Sequence, residues 1–96
     1  MIQRTLVVRA RLGLHARAAA KVVRLAQSFD SAMELTRLDN GTTADAKSIL
    51  SVLMLAAGRG TELSANADGI DEDAAVNALE QLFAQGFGEM EQESGG

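Results

Sequence analysis

The apolar residues of this chain switch repeatedly between the alternation of a strand and the spacing of a helix, and the order of those switches restricts the fold more than any other feature. Ile2 to Val8 reads as a strand, with Leu6, Val7 and Val8 apolar and Thr5, Val7 and Val8 β-branched. Ala16, Ala19, Ala20 and Val23 then recur at helical spacing, with Arg17, Lys21 and Arg24 on another face, which predicts a helix over 16–27. Ala32 to Leu38 alternates again, Met33, Leu35 and Arg37 sharing one face. Asp39-Asn40-Gly41 is a hairpin signal, because Asn-Gly tolerates positive φ at both central turn residues, and Thr42 to Asp45 supplies a short return strand. A second helix is expected from Asp45 or Ala46 through Ser48, Ile49, Leu50, Val52, Leu53 and Met54, ended by Gly58-Arg59-Gly60. Thr61 to Ala67 sets Leu63, Ala65 and Ala67 against Glu62, Ser64 and Asn66, a half-buried strand. After the Asp68-Gly69 turn, Asp71, Glu72 and Asp73 supply a cap and a negative first turn for a third helix. Its buried stripe is Ala75, Leu79, Leu82 and Phe83, flanked by Val76. The order is β-α-β-β-α-β-α. For that order, an α+β domain with an antiparallel sheet, helices on one face and the other face open, is the economical architecture.

Ninety-six residues suffice for one core and not two. With only three aromatics, all phenylalanine, that core must be aliphatic and rich in alanine. The absence of cysteine excludes disulfides, thiolate metal sites and cysteine nucleophiles. No apolar run approaches the roughly 18 residues of a membrane span, so a cytoplasmic monomer is expected, with no membrane partner, no cofactor and no metal. The domain is read as residues 1–87. The glycine-rich, acidic stretch from Gly86 to Gly96 reads as a loosely held end, with 88–96 a disordered tail.

Charge is divided along the chain. Residues 1–38 carry seven basic side chains against Asp30 and Glu34, a net +5, whereas residues 39–96 carry Lys47 and Arg59 against eleven acids, a net −9. A basic first half favours acidic protein surfaces or anionic groups. Nucleic acid is the weaker alternative and is not expected as a partner: the net charge is −4, lysine is scarce and no aromatics interleave with the basic residues.

The single histidine, His15, stands in Gly13-Leu14-His15-Ala16-Arg17, where Gly13 permits a sharp turn between the first strand and the first helix. It falls where the first N–H groups of a helix lack intrahelical partners and the dipole is positive, an anion site. A neutral imidazole there has a lone pair available for phosphorus near pH 7. The amides of Ala16 and Arg17 and the Arg17 guanidinium are the local donors for the transferred charge. One of Ile49 and Leu50 is expected in the core and the other on the surface, since helical neighbours point about 100° apart.

Gly13-Leu14-His15-Ala16-Arg17, followed by Ala19, Ala20, Val22 and Val23, resembles the phosphorylation motif of the HPr-type phosphocarriers of the bacterial phosphotransferase system. Lys47-Ser48-Ile49-Leu50-Ser51-Val52-Leu53 is similar to that family's second helix with its regulatory serine, and Gly60-Thr61-Glu62-Leu63 and Asp71-Glu72-Asp73 fit as well. The resemblance implies an open-faced sandwich whose four-stranded antiparallel sheet has the order 1-4-2-3 beneath three helices. It implies that enzyme I phosphorylates His15 on Nδ1, with Arg17 stabilising the phosphoryl group, and that His15 passes the group to an enzyme IIA domain in sugar uptake. Such a chain is a stoichiometric carrier rather than a free-standing catalyst. The resemblance further implies a partner surface containing Ala16, Arg24, Ile49 and Leu50, and Ser48 as a phosphorylation site for an HPr kinase/phosphorylase. The family usually has proline where this chain has Ala18, which makes the first helical turn less rigid. Two alternatives stand beside the sugar branch. One is a nitrogen-branch, NPr-type carrier, to which Leu53-Met54-Leu55 and the 82–87 segment are similar; the other is a regulatory module on the same fold that transfers nothing.

Overall fold

The computed structural model describes residues 1–88. Strands β1 (Ile2–Val7), β2 (Ala32–Arg37), β3 (Thr43–Asp45) and β4 (Glu62–Asp68) form one antiparallel sheet in the order β1-β4-β2-β3, as expected. Leu6 faces Leu63 across β1–β4, and Leu35 faces Ala65 across β2–β4, so the apolar alternation of each strand falls on one face. Helices α1 (Ala16–Gln27), α2 (Ile49–Met54) and α3 (Glu72–Ala84) lie on the inner side. The opposite face is polar, and there Gln3 donates to the Ser64 hydroxyl at 2.7 Å. The core is aliphatic and alanine-rich as expected, with Phe83 and Phe87 its largest members.

Several local expectations are corrected. Helix α1 has the predicted span but buries Ala18, Ala19, Val22, Val23 and Ala26, leaving Ala16 exposed and Ala20 half-buried. The run Ala18-Ala19-Ala20 is degenerate, so packing against the sheet chooses the face. Gly41 alone takes positive φ in the hairpin, which is closed from Thr36–Thr43 over a longer loop instead of a two-residue turn. Helix α2 begins at Ile49 rather than near Asp45, because Asp45 pairs with Glu34 in the sheet and its carboxylate accepts from the Lys47 amide at 2.9 Å. It ends before Leu55, well ahead of Gly58, where Ala56 turns the chain at φ 50°. Leu82 is half-buried rather than core. Asp71 is the N-cap residue of α3, its carbonyl accepting from the Ala75 amide at 2.9 Å, but its side chain makes no cap bond. Its carboxylate instead crosses to β2, accepting from the amides of Asp30 (2.8 Å) and Ser31 (2.9 Å) and from the Ser31 hydroxyl.

Gly86 and Phe87, expected to begin a loosely held end, are anchored to the domain. Gly86, Phe87 and Gly88 all take positive φ in a turn where Phe87 is buried, edge-on to Phe83 with ring centroids 4.9 Å apart, and Lys21 donates to the Phe87 carbonyl. The acidic segment 89–96 lies outside the described residues.

The loop between β1 and α1 has no regular structure and is held by its neighbours. Gly60 donates to the Val8 carbonyl (2.7 Å), the Gly13 amide turns back to Ala10 (2.9 Å), and the Leu14 amide donates to Ala57 (2.8 Å), just beyond α2. Gly13 sits at φ 70°, where a Cβ would lie 2.7 Å from the Ala57 oxygen and 2.9 Å from the Gly58 Cα.

Two outcomes follow from these contacts. The Ser31 hydroxyl and the Asp30 and Ser31 amides hold the Asp71 carboxyl below its ordinary range. A carboxyl lowered by folding adds stability above its unfolded pKa of about 3.9 and loses it as the pH falls through the folded value. Chemical denaturation across pH 2–7 should therefore show an acid limb below about pH 4 that is shallower in Asp71→Asn. Gly13→Ala should destabilise the fold by about 1–3 kcal/mol, measured by urea denaturation, because both the φ and the space are unfavourable to a side chain.

Candidate functional site

The structure places His15 as the residue that caps α1. Its backbone is extended (φ −77°, ψ −177°), and its carbonyl accepts the first helical bond from Ala19 at 2.7 Å. The side chain then does what a capping serine or aspartate would do: Nδ1 accepts from the Arg17 amide at 3.3 Å. A neutral imidazole that accepts at Nδ1 carries its proton on Nε2. The Nδ1 lone pair of His15 is thus directed at the positive end of α1, and His15 is half-buried beside the exposed Ala16 and Arg17.

Leu14, immediately before it, is buried, which anchors the loop in the core while His15 emerges at the surface. The Arg17 side chain is exposed on the first turn of α1, and Arg24 is exposed in the last turn of the same helix. Lys21 lies between them on the basic face and is half-buried by its bond to Phe87.

Helices α1 and α2 run in opposite directions. The start of α2 meets the end of α1, where Gln27 donates to the Lys47 carbonyl (3.4 Å) and Lys47 donates to the Phe29 carbonyl (2.9 Å). The segment leaving α2 meets the His15 loop through Ala57 and Leu14. Ser48 therefore stands at the far end of the helix pair from His15, with the 12 residues of α1 spanning about 18 Å. It caps α2, its hydroxyl accepting from the Ser51 amide at 3.4 Å.

Ile49 and Leu50 are both exposed, at 41% and 70%, so neither enters the core as one of them was expected to. In a helix of six residues Val52 is the only fully buried position, and the first turn faces away from the sheet. Two further exposed apolar residues escaped the sequence reading, Met54 and Leu12, at the end of α2 and in the loop before His15. Met54 follows Leu50 by one helical turn, so i, i+4 spacing was the available signal. Among the described residues, no group of His, Asp and Glu is placed to hold a metal ion, and no helix is long and apolar enough to cross a membrane.

The family model described as "PTS HPr component phosphorylation site" matches residues 2–85. The chain is 48% identical over 91 residues to the phosphocarrier protein HPr of Cupriavidus necator, covering 95% of this chain and 100% of that protein. It is 39% identical over 88 residues to the phosphocarrier protein NPr of Escherichia coli, covering 92% and 97%. The crystal structure of HPr-C-His from Thermoanaerobacter tengcongensis is similar with a TM-score of 0.85 at 33% identity, covering 92% of this chain and 97% of that one. A match that runs from the first strand to the third helix, with such relatives along nearly their whole length, places the chain in the HPr family, the phosphocarriers of the bacterial phosphotransferase system.

Proposed function

We propose that His15 accepts a phosphoryl group from phosphorylated enzyme I on Nδ1 and passes it to an enzyme IIA-type protein in sugar uptake. The observation that carries this reading is the Nδ1 lone pair aimed at the start of α1. In the transfer, the bond from the donor's phosphorylated nitrogen to phosphorus breaks as the Nδ1–P bond forms. The Arg17 amide, released from the ring, and the Arg17 guanidinium then face the phosphoryl oxygens, so catalysis is positioning and charge stabilisation. The same labile N–P bond lets the group move on. Residues 1–87 make up the carrier unit. The sugar branch is supported by Lys47-Ser48-Ile49 and by the higher identity to an HPr (48%) than to an NPr (39%).

The partner surface joins the start of α1 to α2: Arg17 and Arg24 supply the basic part, and Ala16, Ile49, Leu50 and Met54 the apolar part. A carrier must leave as readily as it docks, so such an interface is small, steered by charge and held by a few apolar side chains. Ser48 is the regulatory position on this reading. A phosphate placed there by an HPr kinase/phosphorylase adds negative charge beside Ile49 and Leu50 without removing any buried group.

Incubation with phosphoenolpyruvate and the enzyme I of each branch should add one acid-labile phosphate, fastest with the sugar-branch enzyme. Intact-mass analysis should find no adduct on His15→Ala, and Arg17→Ala should slow transfer while leaving the melting temperature unchanged. Faster transfer from the nitrogen-branch enzyme I would reassign the branch, and binding without any transfer would favour a regulatory module.

Ser48→Asp should weaken enzyme I binding with the fold intact. Titration of isotope-labelled protein should show amide shifts centred on Ile49 and Leu50. Shifts centred on α3 would place the interface elsewhere.

A further inference from the structure

We infer that Arg37 is a positioning residue for His15, acting through the segment that leaves α2; the inference rests on the reading of His15 as the phosphoryl acceptor. Arg37 ends β2 on the inner side of the sheet, and its side chain is only 18% exposed. Its backbone is held on both sides by the hairpin: its amide donates to Thr42 (2.8 Å) and its carbonyl accepts from Gly41 (2.9 Å). The guanidinium is fixed by a two-point contact with Asp39, Nε to Oδ1 at 2.9 Å and Nη2 to Oδ2 at 2.7 Å. That leaves Nη1 directed at α2, where it donates to the carbonyls of Leu55 (2.9 Å) and Ala56 (3.2 Å).

Those two carbonyls lie just past the last turn of α2, where intrahelical donors run out and a cation is favoured. Ala56 also stands at φ 50°, a conformation an alanine seldom holds unaided. Arg37 therefore stabilises a backbone turn that the local sequence does not favour by itself. The next residue, Ala57, is buried; its carbonyl takes the Leu14 amide at 2.8 Å, and the same oxygen backs Gly13. His15 follows directly. The route from the guanidinium to the imidazole is a short run of backbone with a hydrogen bond at each end, and it contains no long side chain that could absorb a displacement.

An ion pair whose carboxylate stands in solvent adds little to stability, so the Arg37–Asp39 contact is better understood as orienting the fork toward the two carbonyls. Lysine at this position would keep the charge and lose the fork.

The test compares the full chain with Arg37→Ala and Arg37→Lys, and uses His15→Ala as a control. Single-turnover phosphorylation by enzyme I should slow by about three- to tenfold in both Arg37 variants, a change of the size that small misplacement of a reacting group produces. The His15 ring resonances and the Leu14 amide should move in both, while β1 and β4 amides stay in place. A lowered melting temperature with wild-type transfer and unmoved His15 resonances would overturn the inference, since the role would then be structural alone. Wild-type behaviour of Arg37→Lys would also overturn it, because charge without the fork would be enough. An adduct that persists on His15→Ala would instead refute the acceptor assignment, an outcome distinct from either result at Arg37.

Discussion

The hydrogen bond from the Leu14 amide to the Ala57 carbonyl, with Gly13 pressed against the same oxygen, fixes the one irregular segment on which the site depends. The loop from Val8 to His15 has no ladder or helix of its own beyond its first residue, so its shape is borrowed from the end of α2. Leu14 is buried as a consequence, and His15 emerges at the point where α1 begins. A residue capping a helix must have non-helical backbone and an acceptor near the second or third amide. His15 meets both conditions with its ring, which ties the direction of a lone pair to the start of a helix.

The rest of the core serves to keep the sheet and helices in register with that loop. Small residues predominate, and the two buried phenylalanines, Phe83 and Phe87, meet edge-on where the described residues end. The Asp71 carboxylate joins the start of α3 to the start of β2 through a fully buried Ser31. Gly69 lies so close to Ser31 that a Cβ would come within 2.6 Å of its Cα. Arg17, Ile49 and Leu50, by contrast, are exposed side chains. On the proposed reading that exposure is useful, since a surface that docks transiently with more than one protein is better built from exposed side chains than from groups the fold requires.

The element order, the span of α1 and the inward faces of β2 and β4 were legible in the sequence, because period and turn chemistry are local properties of Met33, Leu35, Leu63, Ala65 and Ala67. So was the position of His15 at a helix start, from Gly13 before it and the helical repeat after it. The strand order 1-4-2-3 came from the resemblance, since alternation alone does not say which strands pair. Other features were settled only by tertiary contacts. Alanines at 18, 19 and 20 carry too little contrast to mark a buried face, and the sheet selected it. Ile49 and Leu50 are both outside because α2 is only six residues long and touches the core chiefly through Val52. The Asp71 side chain left its expected cap bond for amides 40 and 41 residues away, and Arg37 reached carbonyls 18 and 19 residues away. What the sequence determined by itself was therefore local, the periods and punctuation that each segment carries. The tertiary structure decided which face is buried and which distant group satisfies each polar atom, because those depend on contacts that exist only once the segments have packed.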